Sequence, residues 1–236
     1  MTSPLHQVES SFGELAATVP ATIGIAVARP GLAEVISLGR WQSGVAWSTI
    51  KVPLAVAALR ADRAGARDLV VKAITESDNH ASEQLWSRLG DPAEAARLVQ
   101  AVVNECGDTA TVVESRRRRP GFTAFGQTPW PLDRQARFAA GLPGVGDAAD
   151  VIELMQQLTR GQRWGLAAKG IAAKGGWGPG LTGDTYLVRQ FGIVPTESAH
   201  VGVALAADAK SFEAAVDVLN TMTDWLVGRL PAITEQ

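Results

Sequence analysis

One cysteine and three scattered histidines leave this 236-residue chain little material for a metal centre. The lone Cys106 excludes an intramolecular disulfide and any multi-cysteine metal site, and reads as a small packed apolar side chain. His6, His80 and His200 have no ligand spacing, so neither a zinc site nor a Ser-His-Asp triad is supported. No metal and no cofactor are therefore expected. A charge excess is lacking too: 22 basic against 24 acidic residues give −2, which offers no reason to expect nucleic acid or an anionic membrane as partner. A small neutral or zwitterionic ligand fits better. No apolar run approaches the roughly 20 residues of a membrane span. Residues 1–7 lack the charged and apolar blocks of a secretory leader. The chain as given reads as soluble.

What is present is a 46% hydrophobic composition, enough to bury a core, with a change of period along the chain. Residues 5–18 have loosely helical spacing; the β-branched run 22–28 and its neighbour 34–38, split by Pro30-Gly31, read as paired strands. Residues 49–64 read as a buried helix with Pro53 tolerable near its start. A helical middle follows at 69–75, 81–89, 93–103, 132–142 and 151–158. After Gly165 the segments 171–174, 186–194 and 200–206 read as strands, and 211–230 as a closing amphipathic helix. Strands at both ends with helices between predict one α+β domain over 1–236. Residues 1–64 plus 165–236 would form a sheet lobe flanked by the terminal helices, and 65–164 an inserted all-helical lobe. A cleft is expected where the lobes meet.

Three short elements stand out. Ser48-Thr49-Ile50-Lys51 falls where the strand pair gives way to the apolar helix. Residues three apart share a helix face, so the Lys51 amine can reach the Ser48 hydroxyl, and the helix start supplies free N–H groups and partial positive charge. A serine becomes a nucleophile only when a base takes its proton, and a lysine acts as that base only when desolvation or nearby cations lower its pKa. By itself the pattern reads rather as an N-capping serine beside an exposed lysine. Ser77-Asp78-Asn79 joins two helical segments, where all three side chains are good caps. Lys174-Gly175-Gly176-Trp177 lies on a strand entering a Gly/Pro turn, where missing side chains admit a ligand or another backbone. Lys169 rivals Lys174, but residues five apart on a regular strand face opposite ways, so at most one would face a given cleft.

In this order the elements resemble the Ser-x-x-Lys, Ser-Asp-Asn and Lys-Thr-Gly set of class A β-lactamases and penicillin-binding proteins. Segments 23–28, 47–59, 73–89, 128–142 and 186–206 are similar as well. The stretch from Phe125 to Trp130, with the helix carrying Arg137-Phe138-Ala139, resembles small actinobacterial serine hydrolases of that superfamily. The resemblance implies an acylated nucleophile at Ser48, a general base at Lys51, a proton shuttle at Ser77 and a substrate-amide contact at Asn79. Lys174 would steady Ser77 and a substrate carboxylate. Gly175, Gly176 and Trp177 would line the substrate, and the backbone N–H groups of Ser48 and Trp177 would form the oxyanion hole. It implies a small-molecule or peptide-like substrate, and an extracytoplasmic location if a leader was removed.

Two features depart from the family. Gly175 stands where a threonine hydroxyl helps hold a substrate carboxylate. The Glu-x-x-Leu-Asn loop with which class A β-lactamases hydrolyse the acyl-enzyme reads Glu114-Ser115-Arg116-Arg117-Arg118 here. Four arginines, Arg116 to Arg119, read as a solvated loop, and one matching residue is little ground for giving Glu114 the catalytic role. Trp47 and Trp177 are the tryptophans expected to wall the site. The sequence thus predicts a serine hydrolase acting on an amide, lactam or ester, weak in deacylating β-lactams. The alternative is a non-catalytic binding protein on the same fold.

Overall fold

The small residues of the central strands explain the architecture. The computed structural model describes residues 4–180, 183–197 and 199–234, so Met1 to Ser3, part of the stretch considered for a leader, lie outside it. Strands β1 (Thr22–Ala28), β2 (Val35–Gly39), β3 (Ala172–Pro179), β4 (Tyr186–Pro195) and β5 (His200–Ala209) form one antiparallel sheet in the order β2-β1-β5-β4-β3. On β1 and β5 the branched residues Ile23, Ile25, Val27, Val203 and Leu205 point to one face. They pack there against α1 (Pro4–Thr18) and α8 (Phe212–Val227). The alternate positions are Gly24, Ala26, Ala28, Gly202, Ala204 and Ala206, which lets α6 (Leu132–Gly141) lie directly on the other face. A Cβ at Gly202 would come within 2.9 Å of the Ala139 carbonyl carbon, so this close approach requires glycine.

Beyond α6 lie α2 (Lys51–Ala61), α3 (Arg63–Val71), α4 (Asn79–Arg88), α5 (Pro92–Glu105) and α7 (Ala149–Met155), sharing a core with that face of the sheet. Short α9 (Leu230–Thr234) closes the described chain against α1. No helix is long and apolar enough to cross a membrane among the described residues.

Within the segment grouped with the helical lobe, α6 packs against β1 and β5 of the sheet, where glycines and alanines admit it. Two expectations need correction. The single helix expected over 49–64 starts as a 3-10 turn (Trp47–Ile50), and α2 ends at Ala61. Asp62 takes an extended conformation and accepts from Gly65 N at 2.9 Å, so it caps a new helix rather than continuing the old one. The strand expected over 171–174 runs on to Pro179, and Gly175-Gly176-Trp177 therefore sits inside β3 rather than in a turn.

Candidate active site

The nucleophile turn is held from below by a buried cation. Arg189 on β4 is fully buried and donates to Gly44 O (3.0 Å), Val45 O (3.1 Å), Trp130 O (2.8 Å) and Gln135 Oε1 (2.8 Å). Gln135 in turn donates to Thr49 Oγ1 at 2.9 Å, and Thr49 Oγ1 to Ala46 O at 2.6 Å. This chain of bonds fixes the backbone on both sides of Ser48. With no carboxylate partner among the described residues, burial lowers the Arg189 pKa to about 9. Replacing Arg189 by methionine keeps the bulk but strands buried acceptors, each costing about 1–3 kcal/mol. Arg189→Met is therefore expected to lower the unfolding free energy by about 3 kcal/mol in a urea titration, and a loss below 1 kcal/mol would show that the acceptors find other partners.

Above this clamp, the only two non-glycine residues with positive φ among the described residues flank the cleft: Trp47 (φ 51°) and Ser77 (φ 59°). Such conformations persist where surrounding structure over-determines them, commonly at functional sites. β3 is an edge strand, so one side of its backbone faces the Ser48 turn instead of another strand. A Cβ at Gly176 would sit 2.8 Å from both Ala46 O and Ser48 N, and glycine is what admits the turn.

Ser77-Asp78-Asn79 divides its labour. Asp78 alone caps α4, accepting from Ala81 N at 2.7 Å. That frees the Ser77 and Asn79 side chains for the lysine. Lys51 Nζ, essentially buried, donates to Ser77 O (2.5 Å), Asn79 Oδ1 (2.7 Å) and Ser77 Oγ (3.3 Å). Lys174 Nζ, wholly buried, donates to the same Ser77 Oγ (3.0 Å) and to Gln162 Oε1 (3.2 Å). Among the described residues Ser48 Oγ closes no hydrogen bond with Lys51, whose amine is turned toward Ser77 and Asn79. Desolvation lowers the Lys51 pKa to about 7, opposed in part by the Asp78 carboxylate. Burial, and then the charge of Lys51, hold Lys174 well below the ordinary lysine value. One hydroxyl is thus shared by two amines that resist protonation, an arrangement suited to passing a proton.

A cleft of about 410 Å³ opens over these groups, with Trp47, Ser48, Lys51, Ser77, Asn79 and Trp177 in its walls. Lys174 lies behind the wall and acts through Ser77. Gly175 and Gly176, expected to contact substrate, do not line the cleft: Gly175 faces the Trp164 ring and Gly176 the nucleophile turn. The Trp177 ring packs against Trp164 and Phe212, with centroids 6.3 and 5.7 Å away. Lys169 is not on β3 at all. It ends a 3-10 turn, 45% exposed and paired with Asp224 at 2.6 Å.

The arginine loop is solvated as expected, with Arg116, Arg117 and Arg118 exposed, but it also borders the cleft. Arg117 lines the cleft and pairs with Glu83 at 2.7 Å, while Arg119 stacks over the Trp47 and Phe122 rings at 5.6 and 5.1 Å. Glu114 does not reach the cleft. Burial would raise its pKa, but the Arg116 N–H and the Arg118 guanidinium more than offset this and hold the carboxyl below its ordinary value. His80 both begins α4 and lines the cleft, bonded to Gln84 at 2.7 Å. Sequence reasoning missed Glu83 and Gln162, and took Arg117 only as one of a run of surface arginines. Only Glu83 carried a usable signal, standing four residues after Asn79 on one helix face.

No protein-family model matches this chain, and no curated protein matches it in sequence. Solved structures do match. The ancestral GNCA class A β-lactamase superposes with a TM-score of 0.70 at 18% identity, covering 94% of this chain and 99% of the other. The TLA-3 extended-spectrum β-lactamase gives 0.70 at 14% identity over 94% and 99%. A variant of the last common ancestor of Gram-negative class A β-lactamases, bound to a nitrobenzotriazole transition-state analogue, gives 0.70 at 17% identity over 95% and 98%. The chain has the fold of the serine β-lactamase and penicillin-binding-protein superfamily.

Proposed function

We propose that this chain is a serine acyl-transfer hydrolase, opening an amide, lactam or ester of a small or peptide-like substrate through an acyl-Ser48 intermediate. The observation that carries the reading is the Ser77 hydroxyl, shared by the Lys51 and Lys174 amines beside the cleft that Ser48 lines. Lys51, neutral in a large fraction of molecules near pH 7, takes the Ser48 proton as Oγ attacks the carbonyl carbon. The proton then passes through Ser77 to the leaving nitrogen or oxygen. Backbone N–H groups of Ser48 and Trp177 serve the developing oxyanion, and Asn79 the substrate amide.

A non-catalytic binding role is the second reading, favoured by Glu114, which is tied to Arg118 where the resemblance calls for a water-activating carboxylate. Intact-mass analysis after incubation with a fluorescent penicillin separates the two. A covalent adduct that forms on the wild type, is missing from Ser48→Ala and outlives a class A acyl-enzyme is expected. An unlabelled wild type would leave the binding role.

A further inference from the structure

An acyl-serine must be hydrolysed before a second turnover, and the attacking water needs a base held beside the ester carbonyl. The candidate from the family pattern, Glu114, is spent on Arg116 N and Arg118 and lies outside the cleft. Among the described residues one carboxylate lines the cleft with Ser48, Lys51 and Asn79, and it is Glu83. It lies on α4 one helical turn beyond Asn79, on the same face, so the helix that places Asn79 against Lys51 also aims Glu83 at the cleft. Its two oxygens are treated differently. Oε1 accepts from Arg117 at 2.7 Å, whereas Oε2 accepts no hydrogen bond among the described residues. One bond therefore holds the group while its second oxygen stays available, on a residue that lines a cleft of about 410 Å³.

We propose that Glu83 is the general base that activates the water releasing the acyl group from Ser48, an assignment that rests on the acyl-Ser48 reading above. Glu83 Oε2 takes a proton as the water oxygen bonds to the acyl carbonyl carbon, and the backbone N–H groups carry the oxyanion. The carbon–Oγ bond then breaks. Ser48 Oγ takes up the proton held by Glu83 through cleft water, and Lys51 is left neutral, as it was after acylation. The products are a carboxylic acid and free enzyme. Arg117 holds one oxygen of the carboxylate and so orients it.

The test follows the Ser48 adduct of a fluorescent penicillin by intact mass in wild type, Glu83→Gln and Glu83→Asp. Glu83→Gln is expected to acquire the adduct, which shows that it is folded, and to release it about 10²-fold more slowly, the low end of the usual contribution of a general base. Glu83→Asp should fall between. Hydroxylamine, a nucleophile that needs no base, should discharge the Glu83→Gln adduct as fast as the wild-type one, a rescue that a merely structural role would not give. Release from Glu83→Gln within twofold of wild type, or a wild-type adduct that never discharges, overturns the assignment and leaves the acyl-serine reading intact. No adduct on any form overturns both.

Discussion

Lys51→Ala should slow acylation of Ser48 by roughly 10²–10⁴-fold, the range over which a positioned general base contributes. The wild-type rate should climb as pH rises through about 7. A lysine of ordinary pKa is neutral in only about one molecule in 2,500 at pH 7, whereas burial brings Lys51 to about 7 and makes the basic form abundant. The base works deprotonated, so activity is lost on the acid side of that value. Stability follows the same shift with a definite sign. The folded pKa lies below the unfolded one, so between about pH 7 and 10 the unfolded chain binds the extra proton and the folded state gains as pH rises. Burying an ammonium among Ile50, Val52 and Leu54 is thus most costly below pH 7. The stability of Lys51→Met relative to wild type should accordingly be highest near pH 6 and decline toward pH 10. Stopped-flow acylation with a chromogenic lactam, across pH 6 to 9, checks the first claim; a flat wild-type profile would remove Lys51 from the base role.

The sequence made the large pieces of this arrangement legible because each rests on a local physical rule. Alternation of Ile23, Ile25 and Val27 with small residues gives a strand buried on both faces, and Asp78 gives a helix cap where one is needed. Ser48, Lys51, Ser77, Asn79 and Lys174 meet because a turn, a capped helix start and an edge strand converge. What stayed hidden depends on contacts distant in the chain. Arg116 to Arg119 read as hydrated charge, since nothing nearby in sequence announces that Arg117 will find Glu83 or that Arg119 will lie on Trp47. Gln162, which steadies Lys174, sits in a 3-10 turn with no periodic signal. Arg189, inside a run of apolar strand residues, marks a cation the core must satisfy, but not the loop it ties down. At Gly175 the space a side chain would take is filled by the Trp164 ring, which the motif alone does not reveal.

Lys174→Ala should reduce acylation by about 10²–10³-fold, the loss typical of removing one electrostatic contact to the reacting groups, while Lys169→Ala should leave the rate within about twofold, as expected for an exposed pair worth less than 1 kcal/mol. The two lysines differ in place more than in chemistry. Lys174 is wholly buried on β3, and its amine spans the gap between Gln162 Oε1 and Ser77 Oγ, so its loss takes a donor from Gln162 and leaves Ser77 Oγ held by Lys51 alone. Ser77 would then present its hydroxyl to the leaving group less often. Lys169, paired with Asp224, makes no bond to Ser77. Lys174→Met, which keeps the volume but not the donor, separates this effect from a cavity: it should melt near wild type yet share the slow rate. Equal rates for Lys169→Ala and Lys174→Ala, in variants that melt alike, would mean that the amine behind Ser77 takes no part in the chemistry.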